Sequence, residues 1–340
     1  MLQCECVCLR ERVGGLTSRG VVQGETHMLE FIIVFALSYL WHAMGVTVGY
    51  HRLISHRSFA CPKFVEYFWV LGGYLAFEGS PIWWATIHRA HHKFSDTELD
   101  PHSPKFGLFR AHTGWMLNDK YPADFSPQKN AKDLMADPLY RFLDQGGNWR
   151  KNHMLALVLG IAARVVVLLL FGWQAALASI LAGVVVLQIP LILNVVCHIP
   201  KLGYKNYRSG DDSVNVWWVA LFSMGEGWHN NHHASPGSAR TGMRPWEIDI
   251  SWLTIKLMKK LGLVTRINEA THEQLIAKSN REKATQEKLK GVLAARSITP
   301  RKFAHKLPHL LEGISSPAVR PVPIHINRDR AVKRSRVRVK

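Results

Sequence analysis

The chain has 340 residues, 47% of them apolar, and a formal net charge of +18. A soluble globular enzyme rarely combines the two, and here they are segregated: apolar residues sit in a few long runs, with Lys and Arg between the runs and at the C-terminus. That pattern excludes an ordinary soluble domain and fits a membrane protein with basic faces at the lipid headgroups.

Residues 1–27 form a polar first segment without an apolar core of signal-peptide length. Cys4, Cys6 and Cys8 crowd this segment, while Cys61 and Cys197 stand apart. So scattered a set gives no disulfide framework and suggests reduced thiols in a cytosol-facing protein. From Met28 to Tyr50 the chain is almost continuously apolar. As a helix rising about 1.5 Å per residue, that run crosses a bilayer core of roughly 30 Å, and it ends at His51. Residues 64–87 are also apolar but broken by Glu66, Gly72, Gly73, Glu78, Gly79 and Pro81, which predicts a helix lying in the interface. Residues 88–152 are polar and rich in Asp-Pro and Ser-Pro turns, the composition of a cytosolic cap.

Met154 to Phe171 and Ala175 to about Cys197 read as a second and a third span, joined by the tight link Gly172-Trp173-Gln174. Arg150 and Lys151 on one side, and Lys201 and Lys205 on the other, flank the open ends of this hairpin, which positive-inside logic places in the cytosol. Arg164 interrupts the second span. Two placements are open for it: the bundle interior with a functional partner, or a side chain snorkelling to the surface. The membrane domain is expected to cover 28–265, with an interfacial stretch at 199–265. Residues 266–340 form a basic tail, helical to about 296 and then Pro-, Arg- and Lys-rich with about half of the net positive charge, a composition that favours disorder. The fold class is therefore all-α integral membrane, three spans being visible, with a helical cap on the cytosolic face.

Histidine carries the chemistry. Of 18 histidines, half fall into four short clusters: His51-Arg52-Leu53-Ile54-Ser55-His56, His88-Arg89-Ala90-His91-His92, Asn194-Val195-Val196-Cys197-His198 and His229-Asn230-Asn231-His232-His233. In the second and last clusters, positions i, i+3 and i+4 share a helix face, so three imidazoles can converge on a small volume. At this histidine frequency a given H-x-x-H-H is expected roughly 0.05 times per chain, so two copies are not accidental. Imidazole is the commonest metal ligand, and nine exceed what one ion can hold, so two metals are expected. Ligation without thiolate argues against structural zinc and iron–sulfur sites. The H-E-x-x-H pattern of zinc proteases is missing. Zinc, copper, iron and nickel all accept imidazole, so the ligands alone leave the metal open. A site at the membrane face suggests a lipid-soluble substrate, and iron with dioxygen is the plausible oxidant for an unactivated methylene.

The boxes His51–His56, His88–His92 and His229–His233, with Gly225-Glu226-Gly227-Trp228 before the last, resemble the membrane-bound fatty-acid desaturase family on its acyl-CoA, stearoyl-CoA-like delta-9 side. Pro81-Ile82-Trp83-Trp84, Asp100-Pro101-His102-Ser103-Pro104 and His112-Thr113-Gly114-Trp115 support the likeness, which covers roughly residues 30–265. The resemblance implies two iron ions held by His51, His56, His88, His91, His92, His198, His229, His232 and His233, with Asn194 acting through a bound water. It makes Asp96, Asp100 and Glu226 carboxylates that orient imidazoles, and Trp83 and Trp84 walls of the acyl channel. The implied reaction is O2-dependent formation of a cis double bond, delta-9 in type, in a fatty-acyl chain linked to CoA, carrier protein or lipid. No heme or flavin motif appears, so electrons would come from a separate carrier of the ferredoxin, rubredoxin or cytochrome b5 type and its reductase.

Two departures stand out. The family has four spans, two of them before the first box, and only one precedes it here, so the native start is expected to differ from Met1. Asn118-Asp119-Lys120 is less basic than its counterpart in animal acyl-CoA enzymes. Two other readings compete: a histidine-rich di-iron lipid hydroxylase, and a non-enzymatic membrane anchor with a nucleic-acid-binding tail. The tail has charge without aromatic interleaving, so nucleic acid is not expected as a partner.

Overall fold

The computed structural model describes residues 27–117, 121 and 125–295. The first segment as far as residue 26, Asn118-Asp119-Lys120 and the tail beyond 295 lie outside the described residues.

The first helix, α1 (His27–Ser55), is long and apolar enough to cross a membrane. Its last part, Gly45–Ser55, is wound as a π-helix with every residue buried. This winding matters for the first histidine box. In an α-helix five residues advance about 500°, which would splay His51 and His56 roughly 140° apart. The wider π turn instead bonds the N–H of His56 to the carbonyl of His51, at 3.1 Å, and stacks the two side chains on one face. Arg89 caps the end of this turn, giving Nε to the Ser55 carbonyl at 2.9 Å and Nη2 to the Ile54 carbonyl at 2.7 Å. Those carbonyls have no helical partner ahead of them.

Helix α2 (Lys63–Gly73) runs back along α1 with backbones in direct contact. A Cβ on Gly45 would lie 2.2 Å from Gly73 N, so only glycine permits this approach. The chain then reverses through the π turn Tyr74–Glu78 and Gly79, where Phe77 takes φ 67° and Gly79 φ 78°. Ser80 caps α3 (Pro81–Phe94), accepting from Trp83 N at 3.2 Å, with Pro81 in the first helical position. The reversal meets α1 beside Gly45 and Tyr50, whose hydroxyl donates to the Gly79 carbonyl at 2.7 Å. Residues 64–87 are thus no surface-lying helix. They enter the bundle and return, with irregular backbone buried in protein where it does not face lipid. The return leaves His51 and His88 at the same end.

Short helices α4 (Leu108–His112), α5 (Pro127–Asn130), α6 (Lys132–Met135) and α7 (Pro138–Asp144) build the polar cap. Then α8 (Trp149–Phe171) and α9 (Trp173–Val196) form the expected hairpin, turned at Gly172 with φ 87°. Both are long and apolar enough to cross a membrane. Arg164 lies inside the bundle, 4% exposed, with His42 of α1 as its side-chain partner; of its two possible placements the interior one holds.

After α9 come α10 (Trp217–Phe222), α11 (His229–Ala234) and α12 (Ile250–Lys260). The chain then returns to its first histidine box. Strand β2 (Arg266–Ile267) pairs antiparallel with β1 (Phe59–Ala60), flanked by Thr265 N to Ala60 O at 2.8 Å and Asn268 N to Ser58 O at 2.7 Å. Helix α13 (His272–Ala295) follows. Described residues up to Arg281 form one compact unit, and those from Glu282 on fall in a second. In the first unit Leu275, 3% exposed, packs with Tyr207, Ala234 and Met243.

Candidate metal centre

All nine histidines of the boxes come together. Among the described residues, His51, His56, His88, His92 and His232 form one group and His91, His198, His229 and His233 another, each with ligand atoms within 4.8 Å of one another. Each group draws on distant parts of the chain. The π end of α1 supplies His51 and His56, α3 supplies three rings, the turn after α9 supplies His198, and α11 supplies three more.

Residues between the histidines fix those elements. Arg52, 1% exposed, gives Nε to Glu226 Oε1 at 2.9 Å, Nη2 to Asp249 Oδ1 at 2.9 Å and Nη1 to the Ala239 carbonyl at 2.6 Å. It ties α1 to the loop before α11 and to the N-cap of α12. Asn231 reaches Glu247 Oε2 at 2.8 Å, the Thr241 carbonyl at 2.8 Å and Asn215. Asn230 takes the backbone N–H groups of Asn206 and Tyr207 at 2.8 and 2.9 Å. The boxes thus alternate ligand faces with anchoring faces.

Carboxylates face the outer nitrogens of four rings. Asp100 Oδ1 lies 3.0 Å from His91 Nδ1, Asp96 Oδ2 2.9 Å from His198 Nδ1, and Asp211 Oδ2 2.6 Å from His233 Nδ1. Glu226 Oε2 approaches His51 Nδ1 to 2.8 Å, in a close contact bent away from the N–H axis. Asp96, Asp100 and Glu226 were legible as candidates. Asp211 was not, because its loop, Ser209 to Ser213, carries no histidine and looks like an ordinary polar turn.

Electrostatics favour the neutral form of several of these rings. Burial, then the neighbouring imidazoles, pushes His88, His92, His229 and His232 well below the usual imidazole range. Burial also lowers His233, to about 4, against the opposing pull of Asp211. At His91 burial lowers but Asp100 outweighs it, leaving that ring raised. Asp96 is held at about 2, burial being overcome by His198, the Asp212 amide and Ser103.

These features fit metal ions. A neutral imidazole has one N–H and one lone pair. With Nδ1–H turned to a carboxylate, the lone pair on Nε2 points inward, the arrangement that orients metal-binding histidine. The inward Nε2 atoms approach one another closely: His56 to His88 at 2.7 Å, His51 to His232 at 3.0 Å and His198 to His229 at 3.1 Å. His91 Nε2 and His233 Nε2 are buried without any hydrogen-bond partner. So many imidazole nitrogens converging on two small volumes fit cations held between them. The donor set, five imidazoles and four, suits two first-row transition ions.

A cavity opens beside both groups, touching His51, His88 and His229. Its other walls are mostly apolar and include Trp83, Trp84, Trp115, Met116 and Ile189, with Asn194 among them. Trp83 and Trp84 are buried: Trp83 stacks on Trp115 and Trp84 on His88. Two residues in this wall had passed as something else in the sequence. His102, seen only as part of a supporting stretch, packs its ring at a tilt against His91, with centroids 4.2 Å apart. Glu78, seen only as an interruption, accepts from Trp84 Nε1 at 3.0 Å, and burial pushes its carboxyl up to about 8, so it is neutral at pH 7.

A profile of the fatty acid desaturase family matches residues 28–249. The chain is 39% identical over 243 residues to the sn-1 stearoyl-lipid 9-desaturase of Anabaena variabilis, covering 71% of this chain and 85% of the relative. It is 39% identical over 244 residues to the acyl-CoA C20 delta5-desaturase of Anemone leveillei, covering 70% and 73%. It is 37% identical over 242 residues to delta-9 acyl-lipid desaturase 2 of Arabidopsis thaliana, covering 70% and 75%.

Proposed function

Because this chain belongs to the fatty acid desaturase family, and is thereby an oxidoreductase acting on acyl lipids or acyl-CoA, we propose that it inserts a cis double bond, delta-9 in type, into a saturated acyl chain at a di-iron centre. One observation carries the reading: nine histidines, most of them buried, converge in two groups beside a mostly apolar cavity that three of them line.

In this reading His51, His56, His88, His92 and His232 hold one iron. His91, His198, His229 and His233 hold the other, with Asn194 contributing through water. When bound, the iron pair supplies activation of dioxygen and removal of two hydrogens from adjacent methylenes. The protein does the rest. Trp83, Trp84 and Ile189 hold the chain against the imidazoles and exclude water from it. Glu78, as a neutral acid, leaves that wall uncharged. Asp96, Asp100, Asp211 and Glu226 keep the rings in one tautomer and orientation. Electrons come from a separate ferredoxin, rubredoxin or cytochrome b5 type protein and its reductase. In this reading the site faces the cytosol, which the basic residues Arg150, Lys151, Lys201 and Lys205 at the hairpin's open ends support.

The test is expression in a host with a compatible electron donor, fatty-acid profiling by mass spectrometry, and a His232→Ala control. A new monounsaturated species that disappears in the control is expected. A hydroxylated product of the same chain length would replace desaturation with hydroxylation.

A further inference from the structure

The first half of α13 backs the four-histidine group. The family profile matches residues 28–249, and this segment lies beyond it. His272, Leu275, Lys278 and Ser279 stand three or four positions apart, so the helix carries them on one face. Leu275 is the apolar centre of that face, packed on Tyr207, Ala234 and Met243. Around it three polar contacts reach the same parts of the chain. The His272 ring is hydrogen-bonded through Nδ1 to the Tyr207 hydroxyl, Ser279 Oγ accepts from Arg208 N at 3.1 Å, and Lys278 Nζ donates to the Ala234 carbonyl at 2.7 Å.

Those parts serve the metal centre. Ala234 is the last residue of α11, the short helix that bears His229, His232 and His233. The closing carbonyls of a helix have no partner ahead of them, and a cation placed there satisfies one and complements the helix dipole. Tyr207 and Arg208 open the loop whose later residues orient two rings. Asp211 Oδ2 faces His233 Nδ1, and the Asp212 amide donates at 2.8 Å to Asp96 Oδ2, the oxygen that faces His198 Nδ1. Asn230 already ties this loop to α11 by taking the amides of Asn206 and Tyr207. Helix α13 adds a second tie, to the loop and to α11 at once.

We propose that His272–Ser279 braces the four-histidine group, with Lys278 and Ser279 as positioning residues. They fix the end of α11 and the Asp211 loop so that His198, His229 and His233 keep the geometry that holds a metal. The proposal rests on the metal-centre reading. The brace serves the two groups unequally. The five-histidine group takes one ring from α11, and its carboxylate, Glu226, lies in the segment before that helix.

The experiment loads the full-length protein in detergent with ferrous iron, without air, and challenges it with a chromogenic chelator. Wild type is compared with Lys278→Met, Lys278→Arg and Ser279→Ala. Outer partners of a metal-bound histidine are typically worth about 10–100-fold in metal affinity, and these residues act one step further out, so Lys278→Met and Ser279→Ala should each weaken one iron equivalent by about tenfold and spare the other. Lys278→Arg should restore it. Lys288→Met, in the same helix beyond Arg281, should hold both irons as wild type does, and a matching loss there would trace the effect to net charge and overturn the proposal. Equal weakening of both equivalents, or none in either Lys278→Met or Ser279→Ala, would also overturn it. Hydrogen exchange on the metal-free proteins is a second readout that needs no iron. Amides of residues 206–213 and 229–234 should exchange faster in Lys278→Met and Ser279→Ala, and those of α3 as in wild type; a uniform change, or none, counts against the brace. If wild type binds no iron, the metal-centre reading fails, and the exchange comparison still decides the brace.

Discussion

The two histidine groups are built differently. The four-histidine group has a carboxylate on three of its rings: Asp100 on His91, Asp96 on His198 and Asp211 on His233. The five-histidine group has one, Glu226 on His51, and otherwise relies on packing: the π winding of α1, Trp84 stacked on His88, and rings edge-on to one another at 4.6–4.8 Å. One group is oriented by charge, the other by backbone shape and aromatic contact. The first should answer to single carboxylate substitutions. The second should answer to whatever disturbs the end of α1.

The largest effect is expected at Arg52. Arg52→Met leaves Glu226 and Asp249 buried without their cation, and breaking a buried pair in this way costs about 3–5 kcal/mol. Chemical denaturation in detergent should register that loss, and metal analysis of the remaining folded protein should find the five-histidine group depleted first. Equal depletion of both groups would erase the distinction. An intermediate effect is expected at Asp211. Removing the outer partner of a metal-bound histidine typically lowers metal affinity or activity about 10–100-fold. Asp211→Ala should therefore weaken one metal equivalent by that factor in a chelator competition and spare the other, and Asp211→Asn should lose less.

The smallest effect belongs to Glu78, which serves neither group. Its carboxyl is raised from the ordinary 4.5 to about 8 by burial. The folded state therefore binds a proton that the unfolded state has released, and the stability from the neutral acid is complete below about 4.5 and is lost as pH rises to about 8. Glu78→Gln should flatten the fall in melting temperature across that window with metal content unchanged. A parallel fall in both proteins would mean that another group titrates.

Much of this was legible in the sequence. The spacings within 88–92 and 229–233 already put three rings on one helix face, and the interruptions in 64–87 already marked it as no plain span, although the interfacial helix expected there is a buried reversal. The rest depended on contacts that leave no local trace. A five-residue spacing fits no α-helical face, so the convergence of His51 and His56 needed the π winding. Asp211 lies 22 residues before its ring in a loop of ordinary polar composition. The face of α8 that carries Arg164 is apolar all round and could not say which side was inside. The return of Arg266–Ile267 to the first box is a two-residue strand, too short for any periodicity.

That short strand has a consequence in time. Phe59 pairs with Ile267, about two hundred residues later in the chain. At a synthesis rate of roughly 5–20 residues per second, the first histidine box leaves the ribosome some 10–40 seconds before the segment that clasps it exists. Helices α1 and α2 can dock early, glycine against glycine, but the rings of α11 and the closing strand arrive only near the end. Metal can therefore enter a finished pair of sites only after most of the chain has been made, and loading becomes a step of maturation that a cell can run short of independently of how much protein it makes.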